Sequence, residues 1–326
     1  MEYCPIIVRA SHRFSCSVEM RSGTDVVMAR KTAECMQLIS KMGSDTDPDA
    51  PSHVRDGLGN FRFCATACCK PCIPFFPGAK GPSLYSSSSS TATSTSASTS
   101  ASTTSQNSSL KHVKDQSVSF AIGLENGKLA QQLLSKTAHI EQISTVFSDG
   151  MAQALLPIQT LCDSLPQQAH QQPKPTVTTT TRTSKTIPTP SHKFLGFDTS
   201  LNPSLDQDGG SVAAALEKLP TLTTFGQRGT LAVAAELTRT LQSLPQRHHV
   251  RCVGYQGLML PVCEDQRLTE LVRAGKLTTV HLLSVSGVCG VGLDTVPVAG
   301  DVGVEDLMGL ILDVAGVGVW GGKQIL

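Results

Sequence analysis

The chain has 326 residues, of which 40% are apolar and only 16% are charged, and its formal net charge is +1. The apolar content is enough for one large domain or two ordinary ones, and no apolar run is long enough to cross a bilayer. From residue 195 onward there are 9 Lys and Arg against 13 Asp and Glu, a net of −4, which argues against a nucleic-acid-binding surface.

The organisation along the chain predicts one domain with two insertions. Residues 1–55 show no clear pattern, and residues 56–326 are predicted to form a single α/β domain. Polar tracts at 84–117 and 166–193 interrupt this domain, and from Ser86 to Ser109 19 of 24 residues are Ser or Thr. Neither tract has enough apolar surface to offset the entropy of ordering, so we expect both to be disordered and dispensable.

The regular elements are read from hydrophobic spacing and from the residues that start or stop a helix. Helices are predicted over Asn126 to Leu165 with a break at Asp149–Gly150, from Ser211 to Leu219, from Thr230 to Leu244, from Glu264 to Ala274 with Gly275 as the stop, and from Leu307 to Val319. Strands are predicted over Phe194 to Phe197, before the corner at Asp198, and over Val250 to Val253. Residues 278–285 fit either a helix or an extended segment. The succession of strand, corner and helix indicates an α/β fold.

Four separated blocks carry a family resemblance. They begin at Asn60-Phe-Arg-Phe with Lys70 to Pro77, at Phe120 to Gly127, at Gly196 to Asp206, and at Gly254 to Asp301. Together they resemble the family catalogued as domain of unknown function 711. The resemblance implies a ten-stranded β/α barrel like that of pyruvate formate-lyase-like glycyl radical enzymes. Relatives continue beyond a segment similar to the Lys323 to Leu326 end, so we expect a C-terminally truncated member with an incomplete barrel.

Cys289 is the sharpest candidate for a catalytic residue. It lies between glycines in Ser286-Gly-Val-Cys-Gly-Val-Gly-Leu-Asp294, and such a corner can present a thiol to a cavity as a nucleophile or radical carrier. The alternative is a small buried hydrophobe between glycines. The glycine order in this run does not match the dinucleotide fingerprint G-x-G-x-x-G, which excludes a Rossmann site.

Acidic residues at the corners form a second set of candidates. They are Asp198, Asp206, Glu264, Asp265, Asp294 and Asp301. Converging carboxylates suit acid–base chemistry or a divalent cation, whereas single acidic residues at turns commonly cap helices. Glu264 and Asp265 fit the capping role, and Asp198 and Asp294 are predicted to be catalytic. No metal site or cofactor is assigned, and a divalent cation remains the alternative.

Polar residues of the first three blocks are predicted to bind substrate. Asn60 and Arg62 alternate with phenylalanines and would share one face of a strand, where Arg62 could hold a carboxylate or phosphate; a structural salt bridge is the alternative. Glu125, Asn126 and Ser200 complete the set. The cysteines at 64, 68, 69 and 72 have irregular spacing, and we do not assign zinc to them.

The cysteine count indicates the compartment. Eleven cysteines is an odd number in a chain far longer than a disulfide-stapled module, and the N-terminal residues contain no long apolar segment, which together favour a reducing, cytoplasmic environment.

These observations predict an α/β-barrel protein that binds a small polar or anionic metabolite, with the four blocks around one cavity and Cys289 lining it. Whether it is an enzyme stays open. The alternatives are a non-catalytic ligand sensor, or an inactive fragment. A homo-oligomer or a small regulatory partner fits the sensor, because the resemblance places an ACT-type protein near some bacterial relatives.

Overall fold

The computed structural model describes residues 3–44, 47–68, 118–165, 192–205, 209–323 and 325. Helices and short parallel strand pairs make up this part of the chain, which confirms a mixed α/β fold. The tract 84–117, residues 166–191 and Asp206 lie outside the described residues. Residues 192 and 193, at the end of the second predicted tract, begin a strand.

The N-terminal region, residues 3–68, has regular structure that the sequence pattern does not indicate. Its elements are α1 (Cys4–Ala10), β1 (Cys16–Met20), α2 (Val26–Ser40), a 3-10 segment (Ser52–Arg62) and β2 (Phe63–Ala67). β1 and β2 are parallel, from Cys16 opposite Phe63 to Met20 opposite Ala67. Because this pair joins residues on both sides of position 55, the N-terminal residues contribute directly to a sheet; the domain boundary itself stays a prediction.

The central region, residues 118–303, contains the second strand pair and most of the helices. Its elements are β3 (Val118–Gly123), α3 (Gly127–Leu134), a 3-10 turn (Ile140–Gln142), a π-helical turn (Ile143–Phe147), α4 (Ser148–Ser164), β4 (His192–Asp198), α5 (Val212–Leu216), α6 (Thr230–His248), α7 (Gln266–Arg273) and α8 (Thr279–Ser286). β3 and β4 are parallel. The 250–258 segment lies beside β4 through two parallel bridges, Phe197 to Cys252 and Leu201 to Leu258.

Apolar burial divides between the two regions. One large core joins the β3–β4 pair to helices α3 to α8, with Phe147, Phe197 and Phe225 fully buried in it. Two smaller cores lie in the N-terminal region. The last helix, α9 (Val304–Gly321), packs against α2 and so belongs to one of these smaller cores.

The residues after α9 connect the regions. Ile325 forms an antiparallel bridge with Ala67, extending the end of β2, and the Lys323 side chain reaches the end of α8. Lys323 and Ile325, close together after α9, therefore contact the central region and the N-terminal sheet respectively.

Most of the predicted helices are confirmed, and the departures have physical reasons. The break predicted at Asp149–Gly150 is wrong, because the chain leaves α3 after Leu134 and both residues lie in the first turn of α4. An acidic residue is favourable there, at the positive end of the helix dipole. A β-carbon at position 150 would lie 2.2 Å from the end of the Leu133 side chain, which would have to shift to accept it.

Two predicted strands also differ. Asn60 and Arg62 do not alternate along a strand, since they end a 3-10 segment that is kinked at Asp56 and Gly57, and the strand begins only at Phe63. The 250–253 segment is not a strand, and it is joined to β4 by one isolated bridge, Phe197 to Cys252. The ten-stranded barrel is not confirmed: the described residues form two separate two-stranded sheets and no closed barrel. Within the same residues, no helix is long and apolar enough to cross a membrane.

Candidate functional site

Polar residues gather where β3 and β4 end. The Asn126 Nδ2 donates to the Ser200 carbonyl (3.0 Å), and the Asn126 Oδ1 accepts from the Asn202 N–H (3.2 Å). The Ser200 hydroxyl donates to Asp198 Oδ1 over 2.6 Å. Since carboxyl ends of adjacent parallel strands meet at one edge of a sheet, the blocks around Asn126 and Ser200 come together as expected. We call this set, Asn126, Asp198 and Ser200, the strand-end network.

Asp198 is fully buried, and its carboxylate is satisfied by donors. Oδ1 accepts from the Ser200 N–H (3.1 Å) and the Gln256 N–H (3.3 Å) besides the Ser200 hydroxyl, and Oδ2 accepts from the Tyr255 N–H (3.2 Å). Gly254 makes this approach possible, because its φ is +81° and a β-carbon there would lie 2.0 Å from Oδ2. The carboxylate therefore holds the 254–257 turn against the end of β4.

The corner that carries Cys289 packs directly on this turn. The Gly290 N–H donates to the Leu258 carbonyl over 2.8 Å. A β-carbon on Gly257 would lie 2.5 Å from the Gly290 α-carbon, so the two backbones touch without side chains between them. The Gly257 N–H in turn donates to the Ser200 hydroxyl (3.3 Å). The second, third and fourth family blocks thus meet through direct contacts.

Cys289 lies on the turn after α8, as the sequence predicts, but only 1% of it is exposed and it belongs to the large core. Its sulfur accepts from the Gly292 N–H over 3.2 Å and lies 3.8 Å from the Lys323 Nζ. The sulfur also lies 3.8 Å from the Ser286 carbonyl and 3.6 Å from the Gly292 carbonyl, so the thiol can donate as well as accept.

Lys323 is the neighbour that sequence reasoning missed. Its ammonium also donates to the Ser286 carbonyl at the C-terminal end of α8, and its side chain is partly exposed. Burial lowers the pKa of Lys323 below its usual value, an effect that Cys289 opposes. The two residues are 34 positions apart, and no spacing or motif in the sequence links them, so only the fold brings them together.

Asp294 lies in a different kind of corner. Burial, reinforced by the negative charge of Glu264, raises the pKa of Asp294 from 3.8 to about 7. Glu264 is exposed as a residue, but partial desolvation of its carboxyl raises its pKa as well, and burial together with both carboxylates raises the pKa of the Cys263 thiol. The Cys263 N–H donates to the carbonyl of Thr295, a β-branched residue with an uncommon φ of +39°. A carboxyl that titrates near neutral pH can both donate and accept a proton.

Other acidic corners have structural roles or lie at the surface. Asp265 caps two helices at once, because it accepts from the Val212 N–H of α5 (2.7 Å) and the Leu268 N–H of α7 (3.0 Å), which confirms the capping interpretation. The Ser211 hydroxyl donates to the same carboxylate over 2.6 Å. Asp301 is exposed, as is Glu125 beside the strand-end network.

Asn60 and Arg62 make their contacts within the N-terminal region. The Arg62 guanidinium donates to the carbonyls of Ser11 and His53, and the Asn60 Nδ2 donates to the Met36 carbonyl over 3.1 Å. Arg62 thus tethers the chain after α1, and within the part of the chain that the structure describes it forms none of the salt bridges considered from sequence. Its role as an anion ligand stays a prediction.

The described residues contain no group of three or more His, Cys, Asp or Glu arranged to hold a metal ion. Of the four cysteines at 64, 68, 69 and 72, the last two lie outside the described part of the chain.

Comparisons with known proteins identify relatives. A family model described as Uncharacterised ACR (DUF711) matches residues 1–325. A UPF0210 protein of Corynebacterium glutamicum is 32% identical over 148 residues, which cover 44% of this chain and 32% of that protein. UPF0210 proteins of Methanosarcina acetivorans and Lactobacillus helveticus are 37% and 36% identical over 127 and 126 residues, covering 39% of this chain and 27% and 28% of theirs. The matched segment spans about a third of the length of these relatives.

Proposed function

The chain belongs to the DUF711 family, and we propose that it binds a small polar or anionic metabolite at the edge where β3 and β4 end. The convergence of three family blocks at this edge carries the proposal. Asn126 and Ser200 are joined by direct hydrogen bonds, and the Cys289 corner packs on the same network through Gly257 and Gly290. In open α/β sheets, ligands bind outside the carboxyl ends of the strands.

The network supports binding because it is rigid. Every contact from Asn126 to Ser200 and Asp198 is buried, and a buried, satisfied polar network has one arrangement. A site whose backbone is held in place loses less entropy when it takes up a ligand. Glu125, exposed beside this network, is the group we propose to contact hydroxyl or amine groups of the metabolite.

A catalytic form of this proposal is favoured by one further observation. Cys289 receives two N–H donors on its sulfur, and Asp294 has a pKa raised to about 7. In this form Cys289 and Asp294 take part in the chemistry through proton transfer, and Asp198 positions the 254–257 turn. The non-catalytic form is a ligand sensor that acts with a second copy or a small regulatory partner.

We also propose a compartment for the protein from its cysteines. All nine cysteines that the structure describes are free thiols, which supports a reducing, cytoplasmic environment as part of the proposal.

A matched pair of serines tests the binding site. The Ser200 hydroxyl donates to Asp198 over 2.6 Å, and the Ser211 hydroxyl donates to Asp265 over the same distance. Both are buried, so Ser200→Ala and Ser211→Ala should cost similar stability, about 1 to 3 kcal/mol each. The full chain and both variants are screened by thermal shift against small carboxylates, phosphates and amino acids.

We expect at least one compound to raise the Tm of the wild type and of Ser211→Ala, and to act weakly on Ser200→Ala. An equal response in both variants would place the ligand elsewhere, and the absence of any response would contradict the proposal. Turnover of the compound that binds separates the enzyme from the sensor.

A further inference from the structure

Lys323, rather than Cys289, is the group that a ligand can reach at the Cys289 corner. Cys289 is 1% exposed, whereas Lys323 is partly exposed. A nucleophile must meet its electrophile, so the buried thiol is poorly placed for direct attack. The Lys323 amine lies 3.8 Å from that sulfur, in a residue that is only partly buried.

We propose that Lys323 is an amine nucleophile that forms an imine with a small aldehyde or ketone, and that Cys289 holds this amine and takes up its proton. The proposal rests on the proposed function, because it gives the metabolite of the strand edge a reactive carbonyl group. It also assigns Cys289 a role that burial permits, since accepting a proton from a neighbour requires no contact with the metabolite.

The hydrogen bonds of the Lys323 ammonium use two of its three N–H groups. An ammonium group has three N–H donors, and the Ser286 carbonyl and the Cys289 sulfur use two of them. The backbone also fixes the residue, because the Lys323 N–H donates to the Gly318 carbonyl (2.9 Å) and Ile325 is paired with Ala67 on the other side. The amine is therefore held in one place with one position open.

The electrostatic surroundings favour the neutral amine. Among the described residues, none of the salt bridges to a carboxylate includes Lys323, and Cys289 is the titratable group that interacts with it. Burying an ammonium–thiolate pair costs desolvation of both charges, so transfer of the proton from nitrogen to sulfur gives a neutral amine and a neutral thiol. The lowered pKa of Lys323 agrees in direction.

The reaction balances without an oxidant or reductant. The nitrogen lone pair of Lys323 attacks the carbonyl carbon and forms the C–N bond, while the C=O π pair moves to oxygen. The carbonyl oxygen then leaves as water with the two hydrogens of the amine, and a C=N bond joins Lys323 to the metabolite. A lysine desolvated in this way is an established kind of covalent nucleophile.

The competing interpretation is a structural lysine that caps the C-terminal end of α8 through Ser286. Lys323→Arg separates the two, because arginine keeps the positive charge and N–H donors but forms no imine. The variant should fold under either interpretation. Only the imine proposal predicts that reaction with an aldehyde at position 323 is lost.

The experiment traps the imine on the full chain. The protein is incubated with glyoxylate, a small anionic aldehyde, and cyanoborohydride near pH 7.5, and the modified lysines are quantified by peptide mass spectrometry. We expect Lys323 to be modified faster than the exposed Lys218 and Lys276, by about tenfold or more. Cys289→Ala should slow modification of Lys323 and leave Lys218 and Lys276 unchanged.

Modification of Lys323 no faster than that of Lys276 would overturn the proposal, and so would an unchanged rate in Cys289→Ala. Failure of the proposed function has a different signature. If the compounds of the thermal-shift screen act through Ser200 while Lys323 is inert, only the imine is wrong. If Lys323 is trapped rapidly but no compound raises the Tm of the wild type, the strand-edge site is wrong and the reactive lysine stands alone.

Discussion

Asp198 and Asp294 both follow an apolar run beside a glycine-bearing turn, yet the two corners give the carboxylate opposite surroundings. Asp198 accepts four hydrogen bonds from Ser200, Tyr255 and Gln256. Asp294 lies near the negative charge of Glu264, and burial raises its pKa to about 7. Hydrogen bonds therefore offset the cost of burying the Asp198 carboxylate, and they do not offset it at Asp294.

The difference shows that hydrogen-bond donors oppose the effect of burial on a carboxyl group, although at Asp265, which accepts from four donors, burial still raises the pKa. The N–H and O–H groups that point at the Asp198 carboxyl fix the backbone that supplies them. A carboxylate crowded by apolar atoms and a like charge holds its proton to higher pH. The strand-end network is accordingly the rigid part of the candidate site, and the corner of Asp294 is the part that responds to pH.

The largest loss of stability is expected when the hydrogen-bonded carboxylate of Asp198 is removed. Asp198→Ala leaves the N–H groups of Ser200, Tyr255 and Gln256 and the Ser200 hydroxyl without their acceptor in a buried place. We expect the free energy of unfolding to fall by roughly 3 to 5 kcal/mol, measured by chemical denaturation at pH 7.

The exposed Asp301 supplies the matched control for this change. Asp301→Ala should change the free energy of unfolding by less than about 0.5 kcal/mol. A loss below about 1 kcal/mol in Asp198→Ala would mean that the 254–257 turn is held by other contacts, and the contrast between the two corners would fail.

Replacing Asp294 is expected to raise the free energy of unfolding, unlike the replacement of Asp198, and to do so by an amount that depends on pH. The folded-state pKa of Asp294 lies above its unfolded value, so its contribution to stability is fully present below about pH 4 and is lost as the pH rises through 7. The full shift corresponds to ~4 kcal/mol, and solvent screening of the partly exposed carboxyl reduces it. Asp294→Asn removes the ionisation and should stabilise the protein at pH 8 by about 1 to 3 kcal/mol.

Unfolding curves of the wild type and Asp294→Asn between pH 4 and pH 8 check this prediction, because the titration of every other group largely cancels in their difference. The difference should grow with pH and level off above 7. A difference that is constant with pH would show that Asp294 is ionised throughout, and a variant less stable at pH 8 would reverse the sign and refute the prediction.

The sequence indicates where the helices and the corners lie along the chain. It does not indicate which distant residues surround each corner. Helix α6 and the capping role of Asp265 follow from local spacing and cap residues, which act over a few positions. The contacts of Asp198 with residues 255 and 256, and of Cys289 with Lys323, join distant positions. Nothing local distinguishes Asp198 from Asp294, so both are equal candidates until the fold shows what surrounds them.

Arg62 illustrates the same limit in the N-terminal region. Alternation with phenylalanines predicts a strand face with an anion-binding arginine, but the kink at Asp56 and Gly57 places Arg62 at the end of a 3-10 segment. Its donors then go to backbone carbonyls of Ser11 and His53. A side-chain role that is inferred from residue spacing is therefore correct only if the predicted secondary structure is correct.

The smallest effect on the pH dependence of stability is expected from removing the charge of Glu264, which lies near Asp294. Burial is the larger cause of the raised pKa of Asp294, and the negative charge of Glu264 is the smaller one. Glu264→Gln should therefore move the pH range over which stability is lost toward lower pH, while leaving the pKa of Asp294 above its ordinary 3.8. Glu264 is exposed, so its effect should also shrink between 0.1 M and 1 M salt, where the screening length falls from about 10 to about 3 Å. Glu270→Gln is the matched control, because Glu270 is an exposed carboxylate paired with Arg267. If both glutamine variants move the pH range equally, the shift reflects net charge, and the local pairing of Glu264 with Asp294 has no part in it.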